Sequence, residues 1–261
     1  VTFLDSDDFI DLFTYEHLYK IATTNSLDAL YYKFKRFTDE NNVFFFFLIN
    51  EITEYTKEEV KELMLDIIAS EPSAKVDHKI QCSSCTAMYR MDIIKQNNVR
   101  FHSERELISE DLIFNLDFLQ YASKVALNNG KHYHYRINPT SLTSTIRTDR
   151  VEKIKILYDF IKDNIKFWGF DCVKAEERNN KLFIGGCRNA ITNYLSNGKD
   201  RRQWLEVQLA MPIWNKIYIE YNWKQLPLYP KFYFLFCVKK KTLMLFMISR
   251  IKKTFNLMKR L

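Results

Sequence analysis

A short apolar run that leads directly into a cluster of carboxylates is the feature that most constrains this chain. Residues 1–4, Val-Thr-Phe-Leu, have the character of a buried strand, and Asp5, Asp7 and Asp8 follow it closely. Open α/β sheets bind ligands at the carboxyl ends of strands, and crowded carboxylates there favour a cation. Such oxygen ligands suit Mg²⁺ or Mn²⁺, with nucleotide phosphates completing the shell. The residues equally allow Asp8 to cap a helix over residues 9–22.

A second acidic motif, Ser109-Glu110-Asp111, lies about a hundred residues further along the chain and precedes an apolar helical pattern. Ser109 has the side chain of an N-cap, and carboxylates in a first helical turn interact favourably with the positive end of the helix dipole. Dipole compensation alone would explain this placement. A functional role requires Asp111 to lie near Asp7 at the sheet edge.

Together the two motifs resemble those of family 2 glycosyltransferases with the GT-A fold. Phe-Leu-Asp-Ser-Asp-Asp at residues 3–8 resembles the family's metal-binding Asp-x-Asp signature, and Glu110-Asp111 resembles its Glu-Asp motif. The resemblance implies a GT-A-like (Rossmann-like) mixed sheet, a nucleotide-sugar donor, Mn²⁺ or Mg²⁺ as cofactor, and inversion at the anomeric carbon. It places the metal on Asp7 and Asp8, gives Asp5 a contact to the ribose or to a metal-bound water, and makes Asp111 the catalytic base.

The resemblance also suggests binding residues elsewhere in the first 145 residues. His134 and Arg136 lie in a segment similar to the one that closes over the donor phosphates in the family. Glu110, Tyr89 and Arg90 would lie on the acceptor side. Ordinary strand alternation, a core tyrosine and a surface arginine are the structural alternatives for these positions.

In the family, a nucleotide-binding segment of about eighty to ninety residues precedes the Asp-x-Asp strand, and this sequence opens on that strand. We therefore expect residues 1–261 alone to bind donor weakly or not at all and to transfer no sugar. An uncovered strand edge would also lower solubility.

The remaining pattern indicates an α/β region followed by helices. We predict a capping box at Thr56 and Glu59, and a hairpin that turns at Asn128-Asn129-Gly130. The predicted strands are 29–37, 43–49, 82–90, 124–127 and 131–137. The predicted helices are 56–69, 91–96, 151–167 and 174–196, followed by 201–221 in pieces around Pro212. The predicted domains are 1–145, the C-terminal part of a GT-A domain; 146–230, a helical extension; and 231–261.

Charge is concentrated at the end of the chain. The net charge is +7, and residues 231–261 hold nine Lys/Arg and no acid, which leaves 7 − 9 = −2 for the rest. That balance argues against a nucleic-acid-binding body. We predict that residues 231–261 form a basic amphipathic helix on an anionic membrane surface, peripheral on the cytoplasmic face of the cell membrane. Packing on the protein's own core is the alternative. With the family resemblance, this suggests surface polysaccharide synthesis on a glycan or lipid-linked acceptor.

Other interpretations remain open at this point. The five scattered cysteines indicate reduced thiols, although Cys82 and Cys85 have zinc-like spacing. A haloacid-dehalogenase-type phosphohydrolase also places Asp-x-Asp after a strand, but Phe9 stands where that motif has Thr or Val. A truncated remnant, or a membrane-associated interaction module without catalysis, is the non-enzymatic alternative.

Overall fold

The computed structural model describes residues 1–37, 51–80, 83–137 and 146–258, with side chains up to residue 252. The chain divides into two compact units. Unit 1 comprises Val1–Ile67 and Ile80–Thr145, and unit 2 comprises Ile68–Lys79 and Ile146–Leu261. The short segment 68–79 therefore belongs with residues much later in the sequence, which the sequence pattern did not predict.

Unit 1 is an α/β unit built on a mixed sheet. Its described strands are β1 (Phe9–Ile10), β2 (Ala29–Phe37), β3 (Ile52–Tyr55), β4 (Ala87–Tyr89) and β5 (Val125–Arg136). Its described helices are α1 (Thr14–Thr24), α2 (Lys57–Ile68, whose last residue falls in unit 2), α3 (Met91–Gln96) and α4 (Glu110–Leu119). The strand order is β1-β5-β2-β4, and β3 also pairs with β5.

Strand β5 organises the sheet. It runs parallel to β2 along one edge, while β3 and β1 pair antiparallel with its two halves. Strand β4 pairs antiparallel with the outer edge of β2. The first four residues of β2 are buried and apolar or aromatic, as expected for a strand covered on both faces.

The predicted hairpin at Asn128-Asn129-Gly130 is wrong, because β5 continues through these residues. Tyr31 pairs with Leu127 and Phe34 with Tyr133, so residues 128–132 of β5 lie opposite only residues 32 and 33 of β2. The Asn128 side chain accepts a hydrogen bond from the Gly130 N–H at 2.7 Å. The turn-forming residues thus make a bulge within one strand, because tertiary pairing with β2 continues on both sides of them.

The opening run is not the buried strand that its apolar character predicts. Val1 and Leu4 are 45% and 49% exposed, and no strand is assigned before Phe9 in the described part of the chain. Val1 does exchange two backbone hydrogen bonds with Tyr89, at 2.7 and 2.8 Å, and so extends the pairing beyond β4. Phe9 and Ile10 form β1 instead of the start of a helix, because they pair with β5.

The other local predictions have mixed outcomes. Strand β2 and helix α3 have the predicted bounds, and Thr56 N–H donates to Glu59 Oε2 at 2.8 Å as the capping box requires. Ser109 occupies the predicted N-cap position of α4, at φ 61°, but its side chain makes no capping hydrogen bond. The predicted strand 43–49 and Cys82 lie outside the described residues.

Unit 2 is helical in the part of the chain that the structure describes, and its core is rich in large side chains such as Trp168, Phe183 and Phe234. Its helices are α5 (Arg150–Asn164), α6 (Cys172–Asn197), α7 (Arg201–Leu209), α8 (Ile213–Glu220), α9 (Leu228–Val238) and α10 (Thr242–Met258). Residues 231–261, predicted as a single surface helix, are thus divided between α9 and α10 by a turn at residues 239–241.

Helix α6 binds segment 68–79 through buried cationic side chains. Lys181 Nζ donates to the backbone carbonyls of Glu71 and Ala74, the latter at 2.9 Å, and Arg188 forms an ion pair with Asp77. Burial lowers the pKa of Lys181 to about 8. Among the described helices, none is long and apolar enough to cross a membrane.

Candidate active site

The acidic cluster forms a tight turn that is fixed to the end of β5. The Asp8 N–H donates to the Asp5 carbonyl at 3.2 Å and closes the turn. Both oxygens of the Asp8 carboxylate accept hydrogen bonds: Oδ2 from the Tyr133 hydroxyl at 2.6 Å and Oδ1 from the Arg136 N–H at 2.7 Å. The Tyr133 hydroxyl in turn accepts from the Asp5 N–H at 3.3 Å. Tyr133 is 1% exposed, so a buried phenol holds the turn in place.

Asp5 lies where carboxylates from both motifs converge. Its pKa is raised by partial burial first, then by the negative charges of Asp8, Asp111 and Asp7. A hydrogen bond from the Cys85 thiol acts in the opposite direction. Burial, followed by the charge of Asp5, raises the pKa of that thiol to about 11, so Cys85 is a neutral donor at neutral pH. The two motifs, about a hundred residues apart in sequence, are close enough to interact electrostatically.

Asp111 is positioned by two hydroxyl groups. It lies in the first turn of α4, where Ser83 Oγ donates to its Oδ2 at 2.9 Å and Ser84 Oγ donates to its Oδ1. The two serines belong to the segment leading into β4, so the carboxylate is held between two elements. A carboxylate offers about four acceptor positions, and two remain for another hydroxyl group.

Glu110 lies beside Asp111 and is partly buried. Its pKa is raised by burial first, and the charges of Asp111, Glu104 and Asp5 also raise it. A carboxyl group with a raised pKa is better suited to accept a proton near neutral pH than an ordinary one. Glu110 is therefore the competing candidate for a general base, and a test of Asp111 must include it.

The carboxylates of the turn are those that the sequence predicts to bind a magnesium or manganese ion. Asp7 is exposed, and its carboxylate makes no hydrogen bond within the described residues. No group of three or more His, Cys, Asp or Glu side chains that could enclose a metal is found among those residues. Mg²⁺ is commonly bound through one or two carboxylates and completed by substrate phosphates. The crowding that raises the pKa of Asp5 would be relieved by such a cation.

The two predicted diphosphate contacts occupy different environments. His134 is fully buried, with Nε2 2.8 Å from Asp11 Oδ1 and its ring stacked on Phe9 at 4.5 Å. This places its ring in the interior, away from any surface where a phosphate could bind. Arg136 uses Nε to donate to the Asp7 carbonyl at 2.8 Å, so its side chain lies directly against the acidic turn.

The predicted acceptor residues Tyr89 and Arg90 have structural contacts. Tyr89 is 2% exposed, and its hydroxyl donates to Asn115 Oδ1 at 2.9 Å. Arg90 forms an ion pair with Asp28 at 2.9 Å and also donates to the Leu27 carbonyl. Of the predicted acceptor set, only Glu110 lies beside the acidic cluster.

Sequence reasoning missed the residues that position the carboxylates, namely Ser83, Ser84, Cys85 and Tyr133. The serines lie within Cys-Ser-Ser-Cys, where the cysteine spacing drew attention to zinc rather than to the hydroxyls. Tyr133 reads as an ordinary alternating strand residue. A hydroxyl-rich segment ahead of the second motif was the only sequence signal for this set.

No known family model and no curated protein matches the sequence. Among solved structures, the chain is similar to TarS of S. aureus. The crystal structure of TarS 1–349 in complex with UDP-GlcNAc matches 97% of this chain and 67% of that chain, with 15% identity and a TM-score of 0.53. The match to the crystal structure of TarS covers 96% of this chain and 39% of the TarS chain, with 16% identity and a TM-score of 0.50.

A further TarS 1–349 structure matches 80% of this chain and 53% of that chain, with 18% identity and a TM-score of 0.48. The chain thus spans about half the length of the TarS structures that it matches. At such low identity the likeness concerns the fold alone. The chain thus has a mixed α/β fold similar to that of TarS.

Proposed function

We propose that this chain forms the metal-binding and acceptor-activating part of an inverting glycosyltransferase of family 2, with a GT-A fold and a nucleotide-sugar donor. The observation that carries the proposal is the convergence of the two acidic motifs on segment 83–85, where Ser83 and Ser84 donate hydrogen bonds to Asp111 and the Cys85 thiol donates to Asp5. The similarity of fold to TarS, crystallised with UDP-GlcNAc, supports the donor class. The family assignment rests on the motif resemblance.

Asp7 and Asp5 are the carboxylates that would hold the ion. Asp8 has both oxygens engaged by Tyr133 and Arg136, so we assign it to holding the turn rather than to the metal. Bound Mn²⁺ or Mg²⁺ would neutralise charge on the leaving nucleoside diphosphate. Arg136, whose guanidinium lies against the turn, would add a charge-assisted hydrogen bond to a phosphate oxygen.

Asp111 would act as the general base. The Ser83 and Ser84 hydroxyls fix its orientation and leave acceptor positions for the hydroxyl of a sugar. As that oxygen bonds to the anomeric carbon, its proton passes to Asp111, and the bond to the diphosphate breaks with its electron pair on the diphosphate. Attack from the face opposite the leaving group inverts the configuration. A glycan or lipid-linked acceptor in surface polysaccharide synthesis is the setting that the family resemblance supports.

The test measures Mn²⁺-dependent UDP binding and sugar transfer from a panel of nucleotide sugars. Both are measured on the full product of the gene. We expect it to bind UDP in a Mn²⁺-dependent manner and to transfer a sugar. Asp7→Ala should abolish the metal-dependent part of UDP binding. Absence of Mn²⁺-dependent UDP binding would reject the proposal.

Two matched variants separate the base from its neighbour. Asp111→Asn keeps the shape of the side chain and should lower turnover by roughly 10²–10⁴-fold, the usual contribution of a general base, with UDP affinity unchanged. Glu110→Gln removes the adjacent carboxylate and should leave most of the turnover. The reverse pattern would assign the base to Glu110.

A further inference from the structure

Helix α10 exposes an apolar stripe that its own unit does not cover. Leu243, Met247 and Ile251 are 78%, 57% and 55% exposed, and their spacing of four places them along one side of the helix. Leu245 and Ser249 are buried and lie on the opposite side of the helix. The helix is therefore anchored through one face and presents the other to its surroundings.

The surroundings of this stripe are cationic. Lys239, Lys240 and Lys241 are exposed in the turn that precedes α10, and exposed Arg250 borders the stripe on the helix. Residues 231–261 contain nine Lys/Arg and no Asp or Glu. We call Leu243, Met247 and Ile251, with these four cations, the basic-apolar face.

We propose that the basic-apolar face binds the surface of an anionic lipid bilayer. A helix lying in the interface inserts apolar side chains at the boundary of headgroups and acyl chains, while basic side chains meet anionic headgroups. The basic-apolar face supplies both the apolar and the basic side chains, on a helix that is held to unit 2 by its buried side. The proposal is independent of sugar transfer and is tested without nucleotide.

The charge distribution selects this occupant over a second copy of the chain. Symmetric pairing of two basic-apolar faces would bring the same cations together, and residues 231–261 offer no acidic side chain to offset them. An uncharged apolar partner would match the apolar stripe but not the positive charge of Lys240 and Lys241 beside it. A bilayer rich in anionic lipid matches the apolar stripe and the cations together.

The test is sedimentation of the 261-residue chain with phosphatidylglycerol vesicles and, separately, with phosphatidylcholine vesicles, at low and high salt. We expect binding to the anionic vesicles only, weakened by salt because the cations are screened. Lys240→Gln with Lys241→Gln should reduce the partition coefficient about 30-fold, or about fivefold for each lysine near the surface. Lys166→Gln with Lys199→Gln changes two exposed lysines elsewhere in unit 2 and should have little effect.

A second pair of variants tests the apolar stripe. Leu243→Gln should reduce binding to anionic vesicles strongly, and Val173→Gln, at a site that is 71% exposed on α6, is the matched control. Circular dichroism confirms that each variant is folded. Binding to neither vesicle, or equal binding to both, would overturn the proposal. So would self-association that Leu243→Gln abolishes in the absence of vesicle binding, because the face would then join two copies.

Discussion

At the scale of single residues, the candidate site depends on side chains that carry no charge. Tyr133 bridges the two ends of the acidic turn, and Ser83 and Ser84 orient Asp111. A cluster of like charges is unfavourable unless its members are hydrogen-bonded or neutralised. The hydroxyl groups supply the hydrogen bonds and leave neutralisation to a ligand.

Tyr133→Phe should destabilise the protein by about 1.5–3 kcal/mol, because it removes a hydrogen bond to a charged group. Asp8 would also lose its fixed orientation, so we expect weaker Mn²⁺ binding. Urea denaturation and a Mn²⁺ titration measure the two effects. Tyr135→Phe, two residues along β5, is the matched control and should change stability by less than about 0.5 kcal/mol. Equal effects of the two substitutions would contradict the bridging role of Tyr133.

At the scale of elements, the sequence predicts the bounds of those helices and strands that depend on residues close together in the chain. Strand β2 and helix α3 have the predicted bounds, because their apolar patterns are long or clearly terminated. Strand β5 was predicted as two strands, because its continuity depends on pairing with β2 rather than on its own residues. The position of Val1 beside Tyr89 likewise depends on a distant segment.

In the candidate site too, features that depend on neighbouring residues were predictable and features that depend on distant segments were not. Both acidic motifs can be recognised in the sequence because each is a local run of carboxylates, and their roles stay a prediction. The buried position of Tyr89 agrees with the alternative of a core tyrosine, whereas the buried position of His134 could not be assigned, since alternation along a strand does not reveal which face is covered. The hydrogen bonds from Ser83 and Ser84 to Asp111 join residues 28 and 27 positions apart, so a local sequence pattern cannot predict them.

The bulge in β5 gives a prediction for this element. A Cβ atom at Gly130 would overlap the buried His132 ring and lie 2.6 Å from Asn128 Oδ1. Gly130→Ala should therefore destabilise the protein by about 1–3 kcal/mol, as overpacking does. At Gly186, in α6, the nearest atom to a new Cβ is 3.4 Å away, so Gly186→Ala should stabilise by up to about 1 kcal/mol. Thermal unfolding that moves both variants in the same direction would contradict this account.

At the scale of the whole molecule, the chain enters unit 2 at residue 68, returns to unit 1 at residue 80 and enters unit 2 again at residue 146. Three basic side chains of α6 bind segment 68–79. Arg178 and Lys181 donate hydrogen bonds to its backbone carbonyl groups, and Arg188 forms an ion pair with Asp77. The integrity of segment 68–79 therefore depends on a helix about a hundred residues further along the sequence.

This attachment should make stability depend on pH. Burial lowers the pKa of Lys181 from 10.5, the ordinary value of a lysine, to about 8 in the folded protein, so folding disfavours its charged form. That penalty is fully present below pH 8 and is relieved as pH rises from 8 to 10.5. The unfolding free energy of the wild type should therefore rise relative to that of Lys181→Met between pH 7 and pH 10. A difference between the wild type and Lys181→Met that stays flat across this range would rule out this contribution.

The same attachment has a consequence during synthesis on the ribosome. Asp77 and its partner Arg188 are 111 positions apart. At about 5–20 residues per second, segment 68–79 leaves the ribosome roughly 6–22 s before the part of α6 that binds it. For that interval the nascent chain carries a segment whose partner does not yet exist, and unit 2 can be completed only after the helix emerges. The order of translation thus makes completion of the earlier segment a late event in the folding of this protein.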